Sequence, residues 1–260
     1  MPEYLDTCTR AARSGGAILL DWMGRINARE KGPRDLVSEA DLAAQEEIAR
    51  IVLGDFPDFG FLGEEDISQT GNTTSHEYCW IVDPLDGTTN YVHGLKSFAV
   101  SIGLARAGTV ICGVVFDPVA DECYTAVEGG GAHLNGRPIS ASNCRQLDQS
   151  LLAASFSAKV PRDSQEVRRF VEVLTECQAV RRLGSAALNL CYVAAGRLDG
   201  YWATSVKIWD VAAGILIARE AGALVTAVDG SPFILEKPHF ALAATQPLLE
   251  QLVATLRRAE

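Results

Sequence analysis

The run from Trp80 to Asn90, Trp-Ile-Val-Asp-Pro-Leu-Asp-Gly-Thr-Thr-Asn, concentrates more chemistry than any other stretch of this chain. An apolar strand delivers Asp83 at its end, where Pro84 stops the pairing because it has no N–H to give. Asp86 follows three residues on, and Gly87 allows close backbone approach. Two carboxylates on one turn suit a hard, oxygen-seeking cation such as Mg²⁺. If Thr88 and Thr89 open a helix, its free N–H groups can hold a phosphate. An isolated D-x-x-D reads better as an Asx turn capping a helix; the complete string favours the cation.

Other acids have two readings each. Gly63-Glu64-Glu65-Asp66 ends an apolar strand and, taken alone, is a solvated acidic turn. Alternatively, Glu64 is a further oxygen ligand that polarises a water. Asp210 follows Trp209 at the start of a helix, where an acid gains a few tenths of a kcal/mol from the dipole. It can be a ligand only if that helix starts beside Asp83. Asp41 lies three residues after Ser38, a helix-capping spacing. The histidines at 76, 93, 133 and 239 have no ligand spacing, which argues against zinc. No Ser, Cys or His shows a nucleophile motif.

These residues need elements to hold them. Leu5, Cys8, Ala12, Gly15, Leu19 and Trp22 mark an apolar stripe for a first helix. Asn27–Arg34 reads as an exposed loop, and a second helix starts near Ala40. Phe59–Leu62 and Cys79–Val82 read as short buried strands. Phe98–Ala105, Thr109–Phe116 and Cys123–Ala126 form an antiparallel meander. After about residue 146, strand and helix alternate: Leu151–Ser155, Ser164–Glu176, Ala179–Arg182, Ser185–Ala195, Leu198–Trp202, a helix from Asp210, Phe240–Ala244 and Gln246–Arg258. That order favours an α/β half. The expected division is 1–146, an α+β half with an antiparallel sheet and most of the acids, and 147–260, an α/β half that completes the site.

With 260 residues, 48% hydrophobic and 22% charged, the chain can bury a core without disulfides. A net charge of −10 argues against nucleic acid as a partner. Two bare carboxylates about 4 Å apart repel by about 4 kcal/mol at an effective dielectric near 20, so an acidic phosphate site needs cations. The N-terminus lacks a signal-peptide pattern, and the apolar stretch 208–228 is broken by Asp210, Arg219 and Glu220, so no membrane is expected. Seven scattered cysteines read as reduced thiols in a cytoplasm.

Taken together, D-L-V-S-E-A-D (35–41), G-E-E (63–65), W-I-V-D-P-L-D-G-T-T-N (80–90), W-D-V-A-A-G (209–214) and E-A-G (220–222) resemble the inositol monophosphatase family, in order and over nearly the whole chain. The resemblance implies a layered αβαβα sandwich of the inositol monophosphatase and fructose-1,6-bisphosphatase type, and a homodimer. It implies metal ligation by Glu64, Asp83, the Leu85 carbonyl, Asp86 and Asp210, with roughly two or three Mg²⁺ per site. Asp41 matches an acid acting partly through metal-bound water. Gly87 and Thr88 match the phosphate-holding turn, and Thr88 with Glu64 would orient an attacking water. The implied reaction is in-line hydrolysis of a small phosphorylated metabolite without a phosphoenzyme.

On the substrate side the resemblance points to Gly184, Ser185, Asp210 and position 203. Inositol-preferring members carry a glutamate there, seven residues before the aspartate of W-D; this chain has Ala203. Losing a hydroxyl acceptor weakens discrimination for a polyol, while Lys207 could attract a second anionic group. Lys31 resembles a mobile-loop lysine, one residue closer to Asp35 than the family spacing, and reads equally as a solvated lysine. The leading expectation is therefore an inositol-1-phosphate-type phosphatase. The same chemistry on histidinol phosphate, fructose 1,6-bisphosphate or a nucleotide 3′-phosphate stands beside it. A regulatory binding protein that keeps the fold is the reading from another class.

Overall fold

In the computed structural model, residues 3–25, 29–32, 35–37, 39–65, 76–157 and 159–259 are described, the side chains of 29–32 and 35–37 excepted. In chain order the elements are α1 (Glu3–Trp22), β1 (Arg29–Gly32), β2 (Asp35–Val37), α2 (Glu39–Asp55), β3 (Gly60–Gly63), β4 (Tyr78–Asp86), α3 (Thr88–Val92), β5 (Ala99–Arg106), β6 (Thr109–Asp117), β7 (Glu122–Val127), β8 (Ala132–Leu134) and β9 (Arg137–Ile139). The second half adds β10 (Leu151–Ser155), α4 (Gln165–Glu176), β11 (Ala179–Arg181), α5 (Ala186–Ala194), β12 (Gly200–Ala203), α6 (Ile208–Glu220), β13 (Leu224–Ala227), β14 (Phe240–Ala243) and α7 (Gln246–Arg258).

Two sheets carry the architecture. Strands β3 to β9 form one in sequential order, and the other runs β11-β10-β12-β14-β13. Both faces of the larger sheet are covered, so β4 and β5 are buried along nearly their whole length rather than alternating. Leu5, Cys8, Leu19 and Ile48 of α1 and α2 pack with Trp80, Val82 and Val100 on its outer face. Helices α5 and α6 fill the space between the sheets, with Val115 and Tyr124 on one side and Tyr201 and Leu242 on the other. Trp202 points the opposite way from Tyr201 and packs with Leu248 and Leu252 of α7. The layers are therefore α, β, α, β, α, as the sequence led one to expect.

Several readings need correction. The segment 27–34, read as a loop, contributes β1 to an antiparallel hairpin with β2. Pro84 does not end its strand. The ladder to β5 continues to Asp86, with a register shift between Asp83 and Asp86, because a residue without an N–H is tolerated where a bulge interrupts the ladder. The second sheet is mixed: β10 is parallel to β11 and β12, whereas β14 is antiparallel to β12 and β13. Among the described residues no helix is long and apolar enough to cross a membrane.

Candidate active site

Parallel pairing of β3 with β4 sets Gly63 beside Val82, and the N–H of Glu64 donates to the Val82 carbonyl at 3.1 Å. Glu64 therefore stands next to Asp83, and its carboxyl group helps to raise that of Asp83. Asp83 is almost fully buried; its Oδ1 accepts the N–H of Leu85 at 3.0 Å. Across the ladder it faces Ser101, whose hydroxyl donates to the Trp209 carbonyl at 3.3 Å. That bond pins the start of α6 over the end of β4. The helix approaches closely because Gly113 sits beneath it: a Cβ there would meet the Ala213 carbonyl oxygen at 2.8 Å.

Asp210, in the first turn of α6, completes the group. Oxygen atoms of Asp83, Asp86 and Asp210 lie within 4.8 Å of one another. Asp86 is held by the other half of the chain. Its carboxylate accepts from the Ser185 hydroxyl, from the N–H of Ala186 at 3.1 Å and from the N–H of Ala187 at 2.7 Å. These are the first donors of α5, where the helix dipole favours negative charge. Burial opposes them and prevails, pushing the Asp86 carboxyl up to about 6. Burial also pushes Asp210 up to about 8; Asp86 and Glu64 add to this, against the Lys207 N–H that donates to it at 2.7 Å. Asp83 is raised well above the ordinary range by burial, then by Glu64, Asp86 and Asp210.

The acids thus converge and resist ionising together. None of Asp83, Asp86 and Asp210 forms an ion pair with a described Lys or Arg. Carboxylate oxygens at this spacing, in a setting that penalises their charge, fit a hard divalent cation. Thr88 and Leu85 are coupled: the Thr88 hydroxyl donates to the Leu85 carbonyl at 3.1 Å. Gly87 adopts φ 96°, and a Cβ there would meet the Ser97 carbonyl oxygen at 3.0 Å, so the turn into α3 requires glycine.

Not every sequence-derived residue joins the cluster. Asp41 is buried on α2 and lies near Tyr91, whose pKa it helps to raise. Ser185 is buried, its hydroxyl committed to Asp86 and to the N–H of Leu188. Gly184 packs against Asn90. Ala203 is fully buried at the end of β12, and Lys207 is exposed beside Asp210. The Lys31 side chain and Ser38 lie outside the described residues.

Two residues have roles that the sequence reading did not assign. Gln45, one helical turn after Asp41, is fully buried and donates from Nε2 to the Glu65 carbonyl at 2.6 Å while Oε1 accepts the Glu65 N–H at 3.0 Å. It fixes the backbone beside Glu64. Asn90 donates to the carbonyls of Ser97 and Leu183, both at 2.7 Å, tying α3 to the loop before α5. The i to i+4 spacing of two polar residues on an otherwise apolar helix face was the available signal for Gln45.

The model of the inositol monophosphatase family matches residues 2–260. The chain belongs to the inositol monophosphatase family. That membership places it among the phosphoric monoester hydrolases, in a family of metal-dependent phosphatases. Inositol-1-monophosphatase of Mesorhizobium japonicum is 40% identical over 236 residues, covering 89% of this chain and 88% of its own. Nus factor SuhB of Pseudomonas aeruginosa is 38% identical over 266 residues, covering 99% of this chain and 97% of its own. Among solved structures, the extragenic suppressor protein suhB of Bartonella henselae superposes with a TM-score of 0.91 at 38% identity, over 97% of this chain and 98% of that one.

Proposed function

We propose that this chain hydrolyses a small phosphate monoester, of the inositol-1-phosphate type, with Mg²⁺ held by Glu64, Asp83, the Leu85 carbonyl, Asp86 and Asp210. The approach of three carboxylates to within 4.8 Å, in a setting that raises their pKa values, carries this reading. Bound Mg²⁺ would supply charge neutralisation and activation of a water. The protein's share is positioning. Gly87 and Thr88 form the turn that receives the phosphate. Thr88, with a hydroxyl beside the Leu85 carbonyl, and Glu64, beside Asp83, orient the attacking water along the line of the leaving alcohol. Asp41 acts from behind, through water. Gly184, Ser185, Ala203 and Asp210 border the alcohol portion, with Ser185 acting through Asp86.

The halves 1–146 and 147–260 divide the labour in this reading, the first supplying most metal ligands and the second the alcohol side. All seven cysteines are free, which supports a reducing, cytoplasmic setting. A homodimer is expected from the family, and light scattering on the purified protein tests it.

The deciding experiment is phosphate release from a panel of monoesters with Mg²⁺ and with EDTA. We expect Mg²⁺-dependent turnover, with myo-inositol 1-phosphate among the better substrates. Undiminished activity in EDTA overturns the metal role. Much faster turnover of histidinol phosphate, fructose 1,6-bisphosphate or a nucleotide 3′-phosphate reassigns the substrate. A second reading, partnership with a macromolecule, is favoured by the similarity to proteins called Nus factor SuhB. Co-purification of a defined partner with the Asp83→Asn protein as well as the parent would support it as a separate role.

A further inference from the structure

One carboxylate outside the cluster is held at the substrate side by polar residues. Glu166, in the first turn of α4, reaches back over the carboxyl ends of β10 and β12. Its Oε1 accepts the Thr204 hydroxyl at 2.8 Å, and its Oε2 accepts the Ser157 hydroxyl at 3.0 Å. Thr204 follows Ala203 directly, and its N–H donates to the Ser155 carbonyl at 3.2 Å. Strands β10 and β12 are parallel, with Ser155 paired to Ala203 at their ends. In open α/β sheets that end of parallel strands is where ligands bind.

The ends of these strands also lie beside the carboxylate cluster. Tyr201 of β12 is fully buried and within electrostatic reach of Asp86 and Asp210, with Ser155 and Asn189 close to its hydroxyl. Neither the Tyr201 hydroxyl nor the Asn189 amide reaches a partner at hydrogen-bonding geometry, although both residues are fully buried. Buried polar groups are rarely left this way. The region beside these strands is therefore polar, and Glu166 lies past their ends, held by Thr204 and Ser157. Glu166 Oε1 also accepts the Ser157 N–H at 3.4 Å, so the spare capacity lies on Oε2, which has one protein donor where a carboxylate oxygen can accept two. Among the described residues no Lys or Arg pairs with it.

We propose that Glu166 is a specificity-determining residue that accepts a hydrogen bond from an O–H or N–H donor on the alcohol portion of the substrate, with Thr204 and Ser157 fixing its position. The proposal rests on the phosphatase reading above and narrows the substrate to a phosphate monoester carrying donor groups beyond the ester. Charge-assisted hydrogen bonds of this type are worth about 10- to 100-fold in discrimination.

The test compares kcat/KM for myo-inositol 1-phosphate, histidinol phosphate and p-nitrophenyl phosphate in the parent, Glu166→Ala, Glu166→Gln and Thr204→Val proteins. The expected result is a fall of about 10-fold or more in the ratio of the better donor-bearing substrate to p-nitrophenyl phosphate in Glu166→Ala, mainly through KM. Thr204→Val should move the ratio the same way by a smaller factor. Glu166→Gln separates the two donor types: it should retain part of the preference for a hydroxyl and lose the preference for an ammonium group. Unchanged ratios in folded Glu166→Ala and Thr204→Val, or a parent that prefers p-nitrophenyl phosphate to both others, would overturn the proposal. Failure of the parent to cleave any ester with Mg²⁺ would instead remove the phosphatase reading. Melting curves of each variant separate unfolding from lost recognition.

Discussion

Asp210→Asn should make the metal-free protein more stable while disabling the enzyme. Burial and the neighbouring Asp86 push the Asp210 carboxyl up to about 8, against 3.8 for the unperturbed group. A carboxyl raised in this way contributes its full stability below the unfolded value, and loses it as pH climbs through the folded one. Each pH unit between them is worth about 1.4 kcal/mol, so by about pH 7 the loss reaches on the order of 4 kcal/mol. Asp210 keeps some solvent access, which screens part of this, leaving about 2–3 kcal/mol. In a chain of this size that corresponds to about 5–10 °C in Tm. Asp86, raised to about 6, acts in the same direction over a narrower range. Asparagine keeps an acceptor for the Lys207 N–H, so the helix cap survives. The assay is thermal melting in EDTA at about pH 5 and about pH 8, repeated with Mg²⁺. The parent should melt lower at the higher pH, the variant should lose less, and Mg²⁺ should raise the parent far more than the variant. A metal-free parent with the same Tm at both pH values, or a variant no more stable than it at the higher one, refutes the claim that the gathered carboxylates oppose folding.

Asp83→Asn should abolish phosphate release while far-UV circular dichroism in EDTA remains that of the parent; loss of the helical signal would make Asp83 structural instead. Gln45→Leu leaves the Glu65 N–H and carbonyl without their buried partner, at a cost of about 1–3 kcal/mol for each group, and should also weaken Mg²⁺ binding measured by calorimetry. Unaltered Mg²⁺ affinity would separate Gln45 from the Glu64 turn. Gly113→Val forces atoms into the space occupied by the Ala213 carbonyl and should destabilise by about 1–3 kcal/mol, or more if α6 is displaced. Urea unfolding measures that loss, and a neutral result would show that α6 can move without penalty.

Much of this arrangement was legible in the sequence, because local patterns carry it. The strands at 109–117 and 151–155 and the helices at 165–176 and 246–258 were found within a residue or so from apolar runs and periodicity. Asp83, Asp86 and Gly87 came from one contiguous string. What stayed hidden depends on partners. The β1–β2 hairpin has short, polar strands with no apolar alternation to reveal them. The antiparallel placement of β14 between β12 and β13 is a matter of sheet order, which strand–helix alternation does not encode. Pro84 looked like a terminator because local rules count its missing N–H, whereas the bulge to β5 supplies a position that needs none. Gln45 and Ser101 look like ordinary polar residues until Glu65 and Trp209 are brought against them. Spacing alone could not place Asp210 beside Asp83; family resemblance suggested it, and the Ser101 hydroxyl supplies the contact.

The staple between Ser101 and Trp209 has a consequence for how the chain matures. During synthesis, β4 and β5 emerge long before α6, so an incomplete chain holds Glu64, Asp83 and Asp86 but lacks Asp210. Cation capture with full strength must await the arrival of residue 210, and a ribosome-bound or truncated product ending before Ile208 would remain a poor chelator.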